Sequence, residues 1–366
     1  MHFSHRVAAS EPNRITRATH QLNPIDASDS NPTHHGLAPR VYVADPRGPR
    51  AAREQLAAYI STRDNRTVNP DRLYLVSSSS QAYAWLTKLL CDPGDALLAP
   101  HPGYPLVESL TALESVSTLP YRLEWAGSWL VDASSIAPTP LTRAAVLINP
   151  NNPTGSYLTS ADLDFFTSLG LPLIVDEVFF DFPLTDTPRH RIAGEDRVLT
   201  FALDGMSKNL AAPYAKFSWI EVSGPADGVR EAQRRLDIIA DSYLPMSDLI
   251  LDHLPQMLEA IPAQQARVRA RTATNLATLQ RMSTGVTTVY PPEGGWNVLL
   301  RFPDIIDEEE LVLTLIRDAG ITVQPGYFFD MRVPGFVSLS LLLEPETFEN
   351  AAKKVIDAIN SAVQAE

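Results

Sequence analysis

The sequence predicts an α/β fold: a three-layer αβα unit on a mostly parallel sheet, joined to a smaller α+β unit. Three observations carry that expectation. From about residue 70 to 225, short apolar runs alternate with helix-period segments, the pattern of strands linked by crossover helices. Helical periodicity then dominates to about residue 282, and strand-like runs return after PPEGG. At 366 residues the chain has room for a large core and a second unit.

In order, RLYLV (72–76) reads as a strand and QAYAWLTKLL as the helix after it. ALLAP (96–100) precedes PLVESLTALE, and AAVLIN (144–149) precedes ADLDFFTSL. LPLIV (171–175), RVLTFAL (197–203) and KFSWIEV (216–222) complete the strands of the large unit. VREAQRRLDIIADSY and QQARVRARTATNLATLQRM read as long amphipathic helices, the second a connector. WNVLLRF, ITVQP and GFVSLSLLL then read as strands, with helices over EEELVLTLIRDAG and ETFENAAKKVIDAINSAV. The expected division is a large unit at 36–255 and a small one made of 1–35 with 256–366.

Charge and composition narrow the function. With 43 acidic against 30 basic residues and a net charge of −13, the chain is a poor partner for nucleic acid or an anionic membrane. The single cysteine, Cys91, precludes an internal disulfide, fits a reducing, cytoplasmic setting and reads as a core residue. The start, MHFSHRVAASEPNR, lacks an apolar stretch of signal-peptide length, so a soluble protein is expected. His34-His35 has no acidic or cysteine partner at ligand spacing, and no metal site is expected. Asn65-Arg-Thr matches a glycosylation acceptor by chance.

In open α/β sheets ligands sit at the carboxyl ends of the strands. Four stretches fall there. Ser77–Ser80 opens a helix, where small residues and free amides favour an anion, although serine also caps any helix. NPNNPTG (149–155) makes a tight turn. Asp176-Glu177 ends an apolar strand in the manner of a nucleotide hydrolase, but the chain holds no GxxxxGK[ST] segment. DGMSK (204–208) sets Lys208 in an apolar context, with Lys216 eight residues on in AAPYAKFSW, and desolvating an ammonium there needs a reason.

Taken together, these stretches resemble the pyridoxal-phosphate-dependent aminotransferases of fold type I, in the class I and II group, from SNPT (30–33) to the final helix. The resemblance implies pyridoxal 5'-phosphate as cofactor, bound mainly by the 36–255 unit, and a homodimer acting on an amino acid or amine and a keto acid. Lys208 would hold the cofactor as a Schiff base, and Asp176 would face its pyridine nitrogen so that the ring can accept electrons. Asn152 would donate to the ring's phenolic oxygen, and Tyr104 in HPGYP would stack on the ring. Ser79 and Ser80, with Ser207 and Lys216, would hold the phosphate, and Tyr42 would reach the neighbouring subunit's phosphate. Substrate contacts would come from Asn31 and Trp296.

Three departures from the family pattern matter. Phe179 stands where a tyrosine would donate to the phenolic oxygen, which implies a more protonated, longer-wavelength Schiff base. Lys216 replaces an arginine and can hold phosphate as a point charge. Ser338 in GFVSLS stands where an arginine would grip the substrate carboxylate, a clamp that serine cannot make. Either another arginine supplies it, with Arg332 the nearest candidate, or the substrate is held differently. The alternative to amino transfer is a lyase, decarboxylase or cyclising enzyme on the same cofactor.

Overall fold

A computed structural model describes residues 2–7, 33–35, 37–38 and 40–365. The strands are β1 (Leu73–Val76), β2 (Ala96–His101), β3 (Ser117–Trp125), β4 (Trp129–Val131), β5 (Thr142–Ile148), β6 (Leu173–Asp176), β7 (Thr200–Gly205) and β8 (Ser218–Ser223). They form one 8-stranded sheet in the order β1-β8-β7-β6-β5-β2-β3-β4. The parallel pairings run from β7 through β6, β5 and β2 to β3. β8 is antiparallel to both β7 and β1, and β4 is antiparallel to β3. Because β8 reverses direction between them, β1 and β7 run the same way and end on the same side of the sheet.

The helices of this part are α1 (Arg50–Asp64), α2 (Ser79–Leu90), α3 (Leu106–Leu113), α4 (Ser160–Ser168), the short α5 (Met206–Asn209) and α6 (Ala226–Tyr243). Strand alternation sends side chains to opposite faces. Tyr74, Val76, Val146 and Leu203 pack with Leu86 and Leu89 of α2 and Leu236 of α6. On the other face, Leu73 and Leu75 meet Leu56 and Ile60 of α1, while Leu147 and Val175 meet Phe166 of α4. The result is the expected pair of helical layers around a sheet. Cys91 is buried in the first of these cores.

After α7 (Asp248–Leu251), α8 (Leu254–Met282) runs to the second sheet. Its start precedes the predicted QQARV segment, because the helix continues through Pro262, which is exposed. The second sheet consists of β9 (Thr288–Tyr290), β10 (Asn297–Arg301), β11 (Gln324–Pro325) and β12 (Phe336–Ser340), in the order β11-β12-β10-β9. Its Val298, Leu300, Val337 and Leu339 pack on Leu276 and Leu279 of α8. The cover is completed by α9 (Glu308–Thr314) and α10 (Pro345–Ala365), the latter through Phe348 and Val355.

Two expectations change in detail. ITVQP contributes only Gln324 and Pro325 to a strand, at the sheet's edge. β3, which carries Pro120, is absent from the sequence reading. β4 pairs only with Leu123–Trp125, so Pro120 lies where one side of the strand has no partner and its missing N–H is tolerated.

Candidate active site

The strand order puts the carboxyl ends of β5, β6 and β7 side by side, and these ends carry Asn152, Asp176 and Lys208. Register holds them: Asn149 N donates to the Asp176 carbonyl at 2.8 Å, and Glu177 N to the Leu203 carbonyl at 3.0 Å. Gly205 at the end of β7 packs so closely on Ser218 that a Cβ there would lie 2.2 Å from its Oγ. The chain can therefore turn into α5 directly against β8, which brings Lys208 over the sheet's edge.

Lys208 is half-buried, with its Nζ 5.1 Å from the ring centres of both Phe179 and Trp296. Burial lowers its pKa, against a smaller opposing pull from the Asp176 carboxylate. Asp176 is pushed up to about 6, chiefly by burial, although Val178 N and the Tyr83 hydroxyl both hydrogen-bond to it. Those bonds measure 3.2 Å from Val178 N and 3.1 Å from Tyr83 Oη. A cation placed beside Asp176 would restore its ionised form.

Asn152 and Phe179 line one cavity with Gly294, Gly295, Trp296 and Asn297. Asn152 Oδ1 is buried there without a hydrogen-bond partner, the mark of a polar group awaiting a ligand. The EGGW turn is held against the NNPTG loop, since Glu293 N and Gly294 N donate to the Gly155 carbonyl at 3.1 and 2.9 Å. Residue 155 must be glycine: its φ is +71°, and a Cβ would lie 2.4 Å from Pro292.

Ser78 caps α2 by accepting from Gln81 N at 3.2 Å. Ser79 and Ser80 are thus the first helical residues, whose amides have no intrahelical carbonyl to meet. Ser207 is half-buried beside Lys208. Lys216, by contrast, is exposed rather than set in an apolar context; it sits at φ +48° just before β8. Tyr104 is 45% exposed just before α3, and Tyr42 is 36% exposed in a segment without regular structure.

The substrate-contact expectations fare unevenly. Trp296 stands at the lysine. Ser338 is buried on β12, accepting from Asn297 Nδ2 at 3.3 Å. Arg332 is exposed and bonds Glu124 at 2.8 Å, in a cleft shared with Asp307, Glu309 and Tyr327 rather than in the cavity beside Lys208. Asn31 lies outside the described residues.

Several contributors escaped the sequence reading. Asp204 Oδ1 accepts from Asn209 Nδ2 at 2.7 Å, and Asn209 Oδ1 accepts from Gln265 Nε2 at 2.9 Å. Arg63 donates to Asp204 Oδ2 at 2.8 Å. Arg191 stacks 4.2 Å over the Phe180 ring, donates to Asp181 at 2.8 Å and lies 3.1 Å from Asp64. This buried network ties α1, the end of β6, α5 and α8 together under Lys208. Tyr83 was legible only as a core position of α2. The spacing of these polar residues along the chain, from 63 to 265, gives no local signal.

A three-layer sheet fold with a lysine, an aspartate and an asparagine gathered at its strand ends defines a class of protein. Residues 19–355 match the sequence profile of the family described as aminotransferase class I and II, so this chain belongs to that family. It is 23% identical over 321 residues to a tyrosine aminotransferase of Caenorhabditis elegans, covering 84% of this chain and 68% of that protein. It is 26% identical over 227 residues to the glutamate-pyruvate aminotransferase AlaA of Escherichia coli K12, covering 60% of this chain but only 55% of that one. The structure of a tyrosine aminotransferase from Leishmania infantum aligns with TM-score 0.80 at 19% identity, over 96% of this chain and 88% of that one, a likeness of fold. Pyridoxal 5'-phosphate is the cofactor of the family, and amino-group transfer is its chemistry.

The residues fit that cofactor. A buried carboxamide at Asn152 whose oxygen lacks a partner, a buried carboxyl at Asp176, a lysine of lowered pKa and unpaired helix N-terminal amides form the set of polar groups that a phosphorylated pyridine aldehyde requires.

Proposed function

We propose that the chain is a pyridoxal-phosphate-dependent aminotransferase in which Lys208 is the transfer lysine, moving an amino group between an amino acid or related amine and a keto acid. The observation that carries the reading is the meeting of Lys208, Asp176 and Asn152 at adjacent strand ends, with Phe179 and Trp296 walling the lysine. When bound, the cofactor supplies an electron sink that makes the substrate's α-proton acidic.

The chain's own residues do the rest. Asp176 presents its carboxylate to the pyridine nitrogen, and Tyr83 holds that carboxylate in place. Asn152 orients the phenolic edge, and Tyr104 covers the ring. The amides of Ser79 and Ser80, with Ser207 and Lys216, fix the phosphate, to which Tyr42 of a second copy adds. Phe179 and Trp296 shield Lys208 Nζ from water, and burial lowers its pKa toward the neutral amine that must take the substrate's α-proton. A homodimer, a cytoplasmic setting and a division into 36–255 and 1–35 with 256–366 belong to the same reading; the single cysteine supports the setting and the second sheet's own core supports a small unit at the C-terminal end, whereas Phe3 and Val7 pack in the core of the first sheet.

Lys208→Ala tests it. The variant should lose both covalent cofactor attachment and at least about 10²-fold in turnover with amino donors, since general acid–base catalysis alone is worth about 10²–10⁴. Wild-type turnover by the variant would dispose of the assignment.

A further inference from the structure

Trp296 is 9% exposed, yet its indole Nε1 is buried with no hydrogen-bond partner. A buried donor left unpaired is unfavourable and calls for an acceptor. Its ring lies 5.1 Å from Lys208 Nζ, so an acceptor there would be close to a reacting amine. The next residue, Asn297, lines the same cavity and spends its amide on a long 3.3 Å bond to Ser338.

The rest of the cavity is as neutral. Asn151, Asn152, Phe179 and the Gly294-Gly295 backbone line it, and among its described lining residues none is charged. Arginines of the adjoining elements are engaged elsewhere: Arg63 with Asp64 and Asp204, Arg191 with Asp181 and Asp64, Arg269 with the Asp181 carbonyl, and Arg189 over the Tyr157 and Phe180 rings. Among the described residues, a carboxylate brought here would lie desolvated against indole and amides, and the nearest cation, Lys208, 5.1 Å from the Trp296 ring, is the group that the cofactor takes up. A neutral oxygen would satisfy the indole donor without that penalty.

We propose that the substrate of this site carries, on the carbon next to the one bearing its amine, a neutral oxygen acceptor rather than a carboxylate, and that Trp296 Nε1 and the Asn297 carboxamide hold that oxygen. The substrate class is thus amino alcohols and amino amides; the inference rests on Lys208 being the transfer lysine. The reaction balances without an outside oxidant. The substrate's C–N bond breaks, its carbon becomes a carbonyl with oxygen from water, and the amino group passes by way of the cofactor to a carbonyl acceptor that the same cavity admits, an aldehyde or a keto acid whose carboxylate is remote from its carbonyl.

The test uses holoenzyme and two matched sets, L-alanine, L-alaninol, L-alaninamide and isopropylamine, then L-tyrosine, L-tyrosinol, L-tyrosinamide and tyramine. Single-turnover decay of the cofactor's absorbance gives kcat/KM for each. Binding without turnover is read by calorimetry with isobutyramide against isobutyrate, in which a methyl replaces the amine. In at least one set the alcohol and amide should exceed the free acid by about tenfold or more, as a site built for one polar group rejects another. Isobutyramide should bind more tightly than isobutyrate. Trp296→Phe keeps an aromatic wall and removes the N–H, so it should lower the ratio of alaninol to isopropylamine, or of tyrosinol to tyramine, by about fivefold. Equal or better use of the free acids, no conversion of any alcohol or amide, or an equal loss on both amines in Trp296→Phe would overturn the proposal. Failure of borohydride to fix the cofactor on Lys208 would instead sink the lysine reading, and the isobutyramide comparison would still judge the cavity.

Discussion

Asp176 is the residue whose chemistry depends most visibly on pH. Burial raises its pKa to about 6, above the ordinary carboxyl value of 3.8. Its ionised form is therefore penalised in the folded protein: the penalty is fully present above about pH 6 and relieved as pH falls toward the ordinary value. A cofactor that needs the carboxylate must displace a proton below pH 6. Cofactor affinity should fall by up to about tenfold per pH unit below that point, and the fall should be absent in Asp176→Asn, read as dissociation constants from fluorescence titration. A flat profile in the wild type would remove Asp176 from the ring nitrogen. At this scale the sequence was eloquent about Lys208, Asp176 and Asn152, because each stands within a few residues of the end of an apolar run, in a stretch that carries the family resemblance. Lys216 was misjudged, since its apolar neighbours Ala215 and Phe217 are buried while it points out.

Elements, more than single residues, decide how firmly Lys208 is held. α5 spans only Met206–Asn209 and cannot stand as an isolated helix. It is braced from below, with Asn209 bonded to Asp204 at the end of β7 and to Gln265 in the middle of α8. Gln265→Leu would leave the buried Asn209 Oδ1 unpaired and should cost about 1–3 kcal/mol in denaturant unfolding. Unchanged stability would mean that the brace carries no weight. None of this was legible in the chain, since Gln265 lies in an Arg/Ala/Gln-rich segment whose pattern says only that it is helical. The strands at the centre of the sheet were legible because they are continuous apolar runs. β3, at the sheet's flank with exposed positions and a proline, and the three-residue β9 were not.

The whole molecule packs the second sheet against the first, with Leu299 and Phe336 sharing a core with Leu147 and Phe166, so that the loop entering the second, EGGW, closes on the loop leaving β5. Gly295 N donates to the Phe182 carbonyl and Leu341 N to the Trp296 carbonyl, at 2.9 and 2.8 Å, so Trp296 is clasped from both sides. That arrangement explains why the α/β pattern and the second unit could be read from periodicity while the cavity could not: the cavity arises only where the two units meet. The most direct measurement is borohydride reduction of the holoenzyme followed by peptide mass spectrometry. The account predicts one reduced pyridoxal phosphate per chain, on Lys208. Label on another lysine, or a cofactor that stays removable after reduction, would contradict it.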